Sequence, residues 1–165
     1  MIDTVKTTAI TGLSHEGRGI AHSEGKATFI EGALPGETVE YLVTKPHRAY
    51  DEAQVVRVLT PSPDRVAPLC EHYAICGGCT LQHMAPQAQI VHKQRALFDL
   101  LARVGKVTPL ETLPPLVGPI FGYRTKARLG VKYVIKKEKL LVGFRERDPR
   151  FLADIGQCEV LHPAI

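Results

Sequence analysis

The chain has 165 residues, 44% of them apolar, enough for one ordinary domain or two small ones with a buried core, and this excludes a disordered chain. Met1 to Gly12 alternates polar and apolar residues without a basic start, and no stretch approaches the length of a membrane span; a secretion signal and a membrane partner are not expected, and the cytoplasm is. The net charge of +4 is unevenly placed, with six basic against eight acidic residues in 1–60 but ten basic against Glu138, Glu146 and Asp148 in 123–150, which points to a polyanion as partner.

In chain order, the first sixty residues show period-two patterning broken by glycine. Strands are predicted near Asp3–Leu13, Arg18–His22, Ala27–Ile30, Glu37–Val43 and Glu52–Leu59, with turns at Gly17, Gly19, Ser23-Glu24-Gly25 and Pro35-Gly36. Five short strands in this length make a small antiparallel OB-like barrel, a fold whose open face commonly holds nucleic acid. Thr60-Pro61-Ser62-Pro63 reads as a stiff linker and a domain boundary, because each proline fixes its own φ and restricts the residue before it. Pro86 to Val104 is the one helix predicted, with Ile90, Val91, Leu97, Phe98 and Leu101 near one stripe and Gly105 suited to C′. After the prolines at 109, 114, 115 and 119, Lys126–Val134 and Lys139–Arg145 read as strands joined by Lys136-Lys137-Glu138, with Arg150–Ile155 as a third. The fold class is therefore mostly β with one main helix.

All four cysteines fall into one pattern, Cys70-x5-Cys76-x2-Cys79 and, much later, Cys158. Four thiolates suit either a 4Fe-4S cluster or a tetrahedral zinc. Three local ligands and a distant fourth resemble cluster ligation more than paired zinc knuckles. Gly77-Gly78 adds to this, since residues without Cβ let the backbone curl around a bulky inorganic core. Zinc, with His72 or His83 replacing a cysteine, a Cys76–Cys79 redox pair and four inert thiols remain as alternatives.

Gly17-Arg18-Gly19-Ile20-Ala21-His22, Gly25-Lys26-Ala27-Thr28-Phe29-Ile30 and Ala33-Leu34-Pro35-Gly36-Glu37 resemble the TRAM domain of the bacterial RNA uracil-5-methyltransferases. Cys70-Glu71-His72 through Cys76-Gly77-Gly78-Cys79-Thr80-Leu81-Gln82-His83-Met84 looks like that family's cluster-binding segment. Gly122-Tyr123-Arg124-Thr125-Lys126-Ala127-Arg128-Leu129-Gly130 and Val142-Gly143-Phe144-Arg145 resemble the start of its central domain. A chain with both TRAM and cluster segments most resembles the branch acting on 23S ribosomal RNA.

The resemblance implies a TRAM-like OB barrel in 1–60, a linker and cluster-binding loop in 61–84, a helix in 85–105, and in 106–165 the beginning of a central RNA-binding β domain, cut before the methyltransferase domain. It implies a 4Fe-4S cluster on Cys70, Cys76, Cys79 and Cys158, and 23S ribosomal RNA as partner of a monomer. The family's chemistry needs a cysteine thiolate adding to uracil C6, methyl transfer from S-adenosylmethionine to C5 and a base for the C5 proton. No cysteine here is spare for that role, and no strand, glycine-rich turn and helix that would hold the cofactor is visible. S-adenosylmethionine and the catalytic residues are thus expected only in a C-terminal domain beyond this chain, which alone is expected to be inactive. The alternative is a stand-alone RNA-binding metalloprotein, with 4Fe-4S or zinc, that catalyses nothing.

Arg124, Lys126, Arg128 and Lys132 would share one strand face and contact phosphates, with Ala127, Leu129, Val131 and Tyr133 on the opposite, core-facing side. In the barrel, Phe29 and Tyr41 are read as core residues rather than as stacking platforms.

Overall fold

The computed structural model describes residues 4–23 and 25–165. The start of the first predicted strand, Asp3, and Glu24 of one predicted turn lie outside the described residues. The chain divides into two compact units, one running to Val66 and resuming over His83–Leu113, the other made of Ala67–Gln82 and Pro114–Ile165.

The first unit is built on six strands: β1 (Lys6–Ala9), β2 (Gly12–Leu13), β3 (Gly19–Ser23), β4 (Lys26–Glu31), β5 (Thr38–Pro46) and β6 (Tyr50–Thr60). Their order in the sheet is β1-β5-β6-β4-β3-β2. The two ends of that order, β1 and β2, are separated in the chain only by Ile10 and Thr11, so the sheet closes on itself as a barrel. All pairs are antiparallel except β4 with β6. Alternation fills the interior: Ile10, Ala21, Ile30, Ala33, Val39, Tyr41 and Ala53 form its apolar core. Closure is tight at Gly19, where a Cβ would lie 2.8 Å from the Ala33 Cβ, so the position has no room for a side chain.

The predicted linker is fastened to this barrel. The Ser62 N–H donates to Glu37 Oε1 (3.2 Å), and the Arg65 guanidinium donates to both Glu37 oxygens and to the Gly32 carbonyl. Val66 and Ala85 then donate to the His83 and Asp64 carbonyls, which leads the chain into helix α1 (Pro86–Leu100). Leu34, Met84 and Ala88 make a second small core at that junction.

The expected end of the helix is corrected. Regular α geometry stops at Leu100 and gives way to one π-helical turn, Leu101–Gly105, closed by Lys106 at φ 55° rather than by Gly105. The apolar stripe is not buried, since Ala88 is the buried helix residue while Val91 and Leu97 are 64% and 54% exposed. Helical spacing creates a stripe, but only a facing layer buries it.

In the second unit β7 (Gly130–Val134) and β8 (Lys139–Gly143) pair antiparallel around a short 3-10 turn, Ile135–Lys137. The strand predicted from Lys126 thus begins at Gly130. Arg150–Ile155 is not a strand, although Ala153 and Ile155 donate to the Phe144 and Val142 carbonyls along the outer side of β8. The expected core face of this hairpin is inverted. Val131 and Tyr133, opposite Val142 and Leu140, are exposed, whereas on the other face Leu141 is buried and Leu152 and Ala153 close over Gly130 and Gly143, with Lys132 left exposed. Gly130 and Gly143 explain the choice: they stand opposite each other on that face, and a Cβ on Gly130 would fall 2.6 Å from Leu152.

Candidate metal centre and basic segment

The second unit gathers all four cysteines around one cavity, with His72, Tyr73, Gln82, Arg124, Phe144 and Ile155 among the other lining residues. Hydrogen bonds place Cys70, Cys76 and the turn of Cys158. The Cys70 N–H donates to Gln82 Oε1 (3.2 Å) and the Cys76 N–H to the His72 carbonyl (2.7 Å). The Gly77 N–H reaches the Arg145 carbonyl (2.9 Å), and the Gly78 N–H points at Cys76 Sγ (3.4 Å). Cys158, the distant fourth cysteine, opens a turn closed by the Leu161 N–H on its carbonyl. That turn is held by Gly122 and Arg124, whose N–H groups donate to the Glu159 and Val160 carbonyls.

The glycine pair is needed for a specific reason. A Cβ on Gly77 would lie 2.9 Å from the Glu146 carbonyl oxygen, and one on Gly78 would lie 3.4 Å from Cys76 Sγ and from the Phe144 ring. Backbone therefore approaches backbone on one side of the loop and sulfur on the other.

Burial pushes the Cys70 thiol up, and proximity to Cys158, Cys79 and Cys76 adds to the rise. Burial raises Cys76 as well, opposed in part by the Gly78 N–H and the Arg147 guanidinium. Thiols gathered like this resist losing several protons together; a bound cation offsets that repulsion. Among the described residues no group of three or more His, Cys, Asp or Glu is drawn together as a single-ion site, and the four cysteines share the lining of one cavity. A tetrahedral zinc would need them all within about 2.3 Å of one centre. The donor set and the glycine cradle fit a polynuclear cluster. Of the two histidines weighed for zinc, His72 lines the cavity, whereas His83 is buried in the first unit.

The four predicted basic residues separate. Arg124 is half-buried, its guanidinium 5.4 Å from the Phe144 ring centroid and its Nε donating to the Lys126 carbonyl (3.1 Å). Lys126 and Arg128 are exposed on irregular backbone, and Lys132 is exposed on β7; none has an acidic partner among the described residues. A shared strand face is therefore replaced by an exposed basic run, with Arg124 turned to the cysteine cavity. In the barrel Tyr41 is core, but Phe29 is only half-buried, on the side of β4 opposite Thr28 and Ile30. It meets Tyr50 edge-on at 5.6 Å, Tyr50 stacks on His47 at 4.4 Å, and Arg18 lies 5.7 Å over Phe29. The sequence signal for this cluster was the alternation of β4, which puts Phe29 and Ile30 on opposite faces.

Residues 4–56 match the TRAM domain. The chain is 52% identical over 163 residues to the 23S rRNA (uracil(1939)-C(5))-methyltransferase RlmD of Alcanivorax borkumensis, covering 99% of this chain and 37% of that relative. Against the enzyme of the same name from Xanthomonas campestris it is 55% identical over 161 residues, covering 96% and 36%. The chain is similar to these methyltransferases over almost its whole length. It spans little more than a third of the length of the curated relatives it matches. The crystal structure of Pyrococcus abyssi tRNA (uracil-54, C5)-methyltransferase in complex with S-adenosyl-L-homocysteine superposes with TM-score 0.62 at 25% identity, over 96% of this chain and 33% of that one. The TRAM match thus falls on the closed barrel, and the second unit carries the cysteine cavity. Among the described residues no helix is long and apolar enough to cross a membrane.

Proposed function

We propose that the chain is the RNA-recognition and iron–sulfur portion of an S-adenosylmethionine-dependent 23S rRNA uracil-5-methyltransferase, acting as a monomer in the cytoplasm. The observation that carries the iron–sulfur part is the assembly of Cys70, Cys76, Cys79 and Cys158 around one cavity from two distant stretches of chain. When bound, a 4Fe-4S cluster would cross-link those stretches through four thiolate bonds. The protein's own part is to hold Cys70–Cys79 by Gln82, Arg145 and the glycine pair, and Cys158 by the Gly122–Arg124 backbone.

RNA recognition rests on the TRAM domain, the rRNA-modifying relatives and the unpaired basic run Lys126, Arg128 and Lys132. Those side chains supply phosphate contacts, which fix register without reading sequence. The S-adenosyl cofactor is inferred from the neighbour solved with S-adenosyl-L-homocysteine.

Anaerobic purification followed by iron, sulfide and zinc analysis tests the cluster. The expected protein is brown, absorbs broadly near ~400 nm and carries iron and sulfide in equal amounts. Stoichiometric zinc without sulfide overturns the assignment.

A further inference from the structure

Arg147 belongs to the basic stretch counted toward a polyanion, yet its guanidinium is engaged elsewhere. Nη2 donates to the Tyr73 carbonyl (3.0 Å) while the guanidinium carbon lies 5.0 Å over the Tyr73 ring. The Arg147 backbone N–H donates to the Ile75 carbonyl (2.9 Å). Tyr73 in turn spans its loop, its hydroxyl donating to the Thr80 carbonyl at 2.6 Å. Beside these bonds Cys76 pairs with Glu146, and the Gly77 N–H donates to Arg145. Arg145, Glu146 and Arg147 thus form a rail along the loop that carries Cys70, Cys76 and Cys79. The bonds just described from Arg147 and Tyr73 end on backbone carbonyls.

We propose that Arg147 and Tyr73 form a clamp that sets the three-cysteine loop in its ligand-presenting conformation before any metal binds. That the loop holds a cluster rests on the function proposed above; the clamp itself rests on the contacts just given. Arginine suits the position because its planar group lies flat on a ring while donating in its own plane, which a lysine ammonium does not do. Arg147 is a positioning residue that acts on the loop through Tyr73 and the backbone, beside the direct pull of its charge on the Cys76 thiol.

The test begins with the metal-free chain, by hydrogen exchange at the Cys76 and Gly77 amides. R147Q removes a charged donor and a cation–π contact, so these amides are expected to exchange about tenfold faster, with R147K intermediate. Y73F keeps the ring and loses the tie to Thr80, and its effect should be less than additive with R147Q, because both loosen one closed state. In iron–sulfur-loaded protein, R147Q is expected to release iron to a chelator about tenfold faster and to alter the visible circular dichroism, with R147K restoring part of each. Loop exchange or iron release at the wild-type rate in R147Q overturns the clamp. So does a uniform rise in exchange across β7 and β8, which marks general loosening. A wild-type chain without iron and sulfide overturns the cluster reading instead, and the exchange arm still decides the clamp.

Discussion

The Glu37 side chain is fully out of solvent and still charged. Burial alone would raise its carboxyl, but the Arg65 guanidinium with the Leu34 and Ser62 N–H groups holds it below the usual value of 4.5. The folded state therefore binds the proton more weakly than the unfolded chain. Its stabilising contribution is complete above pH 4.5 and is lost as pH falls through the lower folded value. Glu37→Gln should destabilise the barrel by about 3 kcal/mol at neutral pH, because it leaves Arg65 without its counter-charge. Urea denaturation of both proteins measures this, and the gap between them should narrow below pH 4.5. A gap independent of pH contradicts the ionised pair. No pattern in the sequence joins Glu37 to Arg65; the pairing exists because the barrel's corner and the proline segment meet.

At the level of elements, the exposed run from Lys126 to Lys132 carries the phosphate-binding prediction. Each phosphate neutralised contributes about −0.7 to the slope of log K against log salt for single-stranded RNA. Lys126→Gln with Arg128→Gln should flatten the slope by roughly one to one and a half units, measured by RNA titration at several salt concentrations. An unchanged slope in a folded double variant moves the RNA contacts to the barrel, where the half-exposed Phe29, Tyr50 and His47 rings stand.

The barrel strands were legible because alternation and glycine turns agree there, and the cysteine set was legible because spacing alone groups it. Arg124 to Leu129 misled for a physical reason. The run alternates as a strand does, but its backbone at Arg124 pairs with Val160 and His162 instead of extending β7. Alternation also does not say which face is covered. Gly130 and Gly143, whose register is invisible in one dimension, decide that Leu152 packs on the Lys132 side. The helix stripe was read correctly as spacing, but burial depends on a partner layer that the sequence does not name.

At the scale of the whole molecule, all four cysteines line one cavity, and the proposed cluster would use every one of them, leaving no thiol for addition to uracil. The 165-residue chain is therefore expected to transfer no methyl group from S-adenosylmethionine to 23S rRNA transcripts. Radiolabelled methyl incorporation measures this, and turnover by the purified chain contradicts it. The TRAM-matched unit offers a barrel surface, and the other unit carries the cysteine cavity and a basic run.

The closed barrel and the two-stranded hairpin also differ in how they meet other chains. Because β1 and β2 are neighbours in sequence at opposite ends of the strand order, the barrel has no free sheet margin to template a foreign strand. In the hairpin, Ala153 and Ile155 occupy the outer side of β8, whereas β7 pairs among the described residues with β8 alone. Its outer side is open beside Val131 and Tyr133, the composition from which intermolecular sheets grow. Lys132 at its centre and Lys136 and Lys137 at its end place positive charges where a second copy would have to align the same charges against them. The lysines therefore also act as gatekeepers that keep β7 from polymerising.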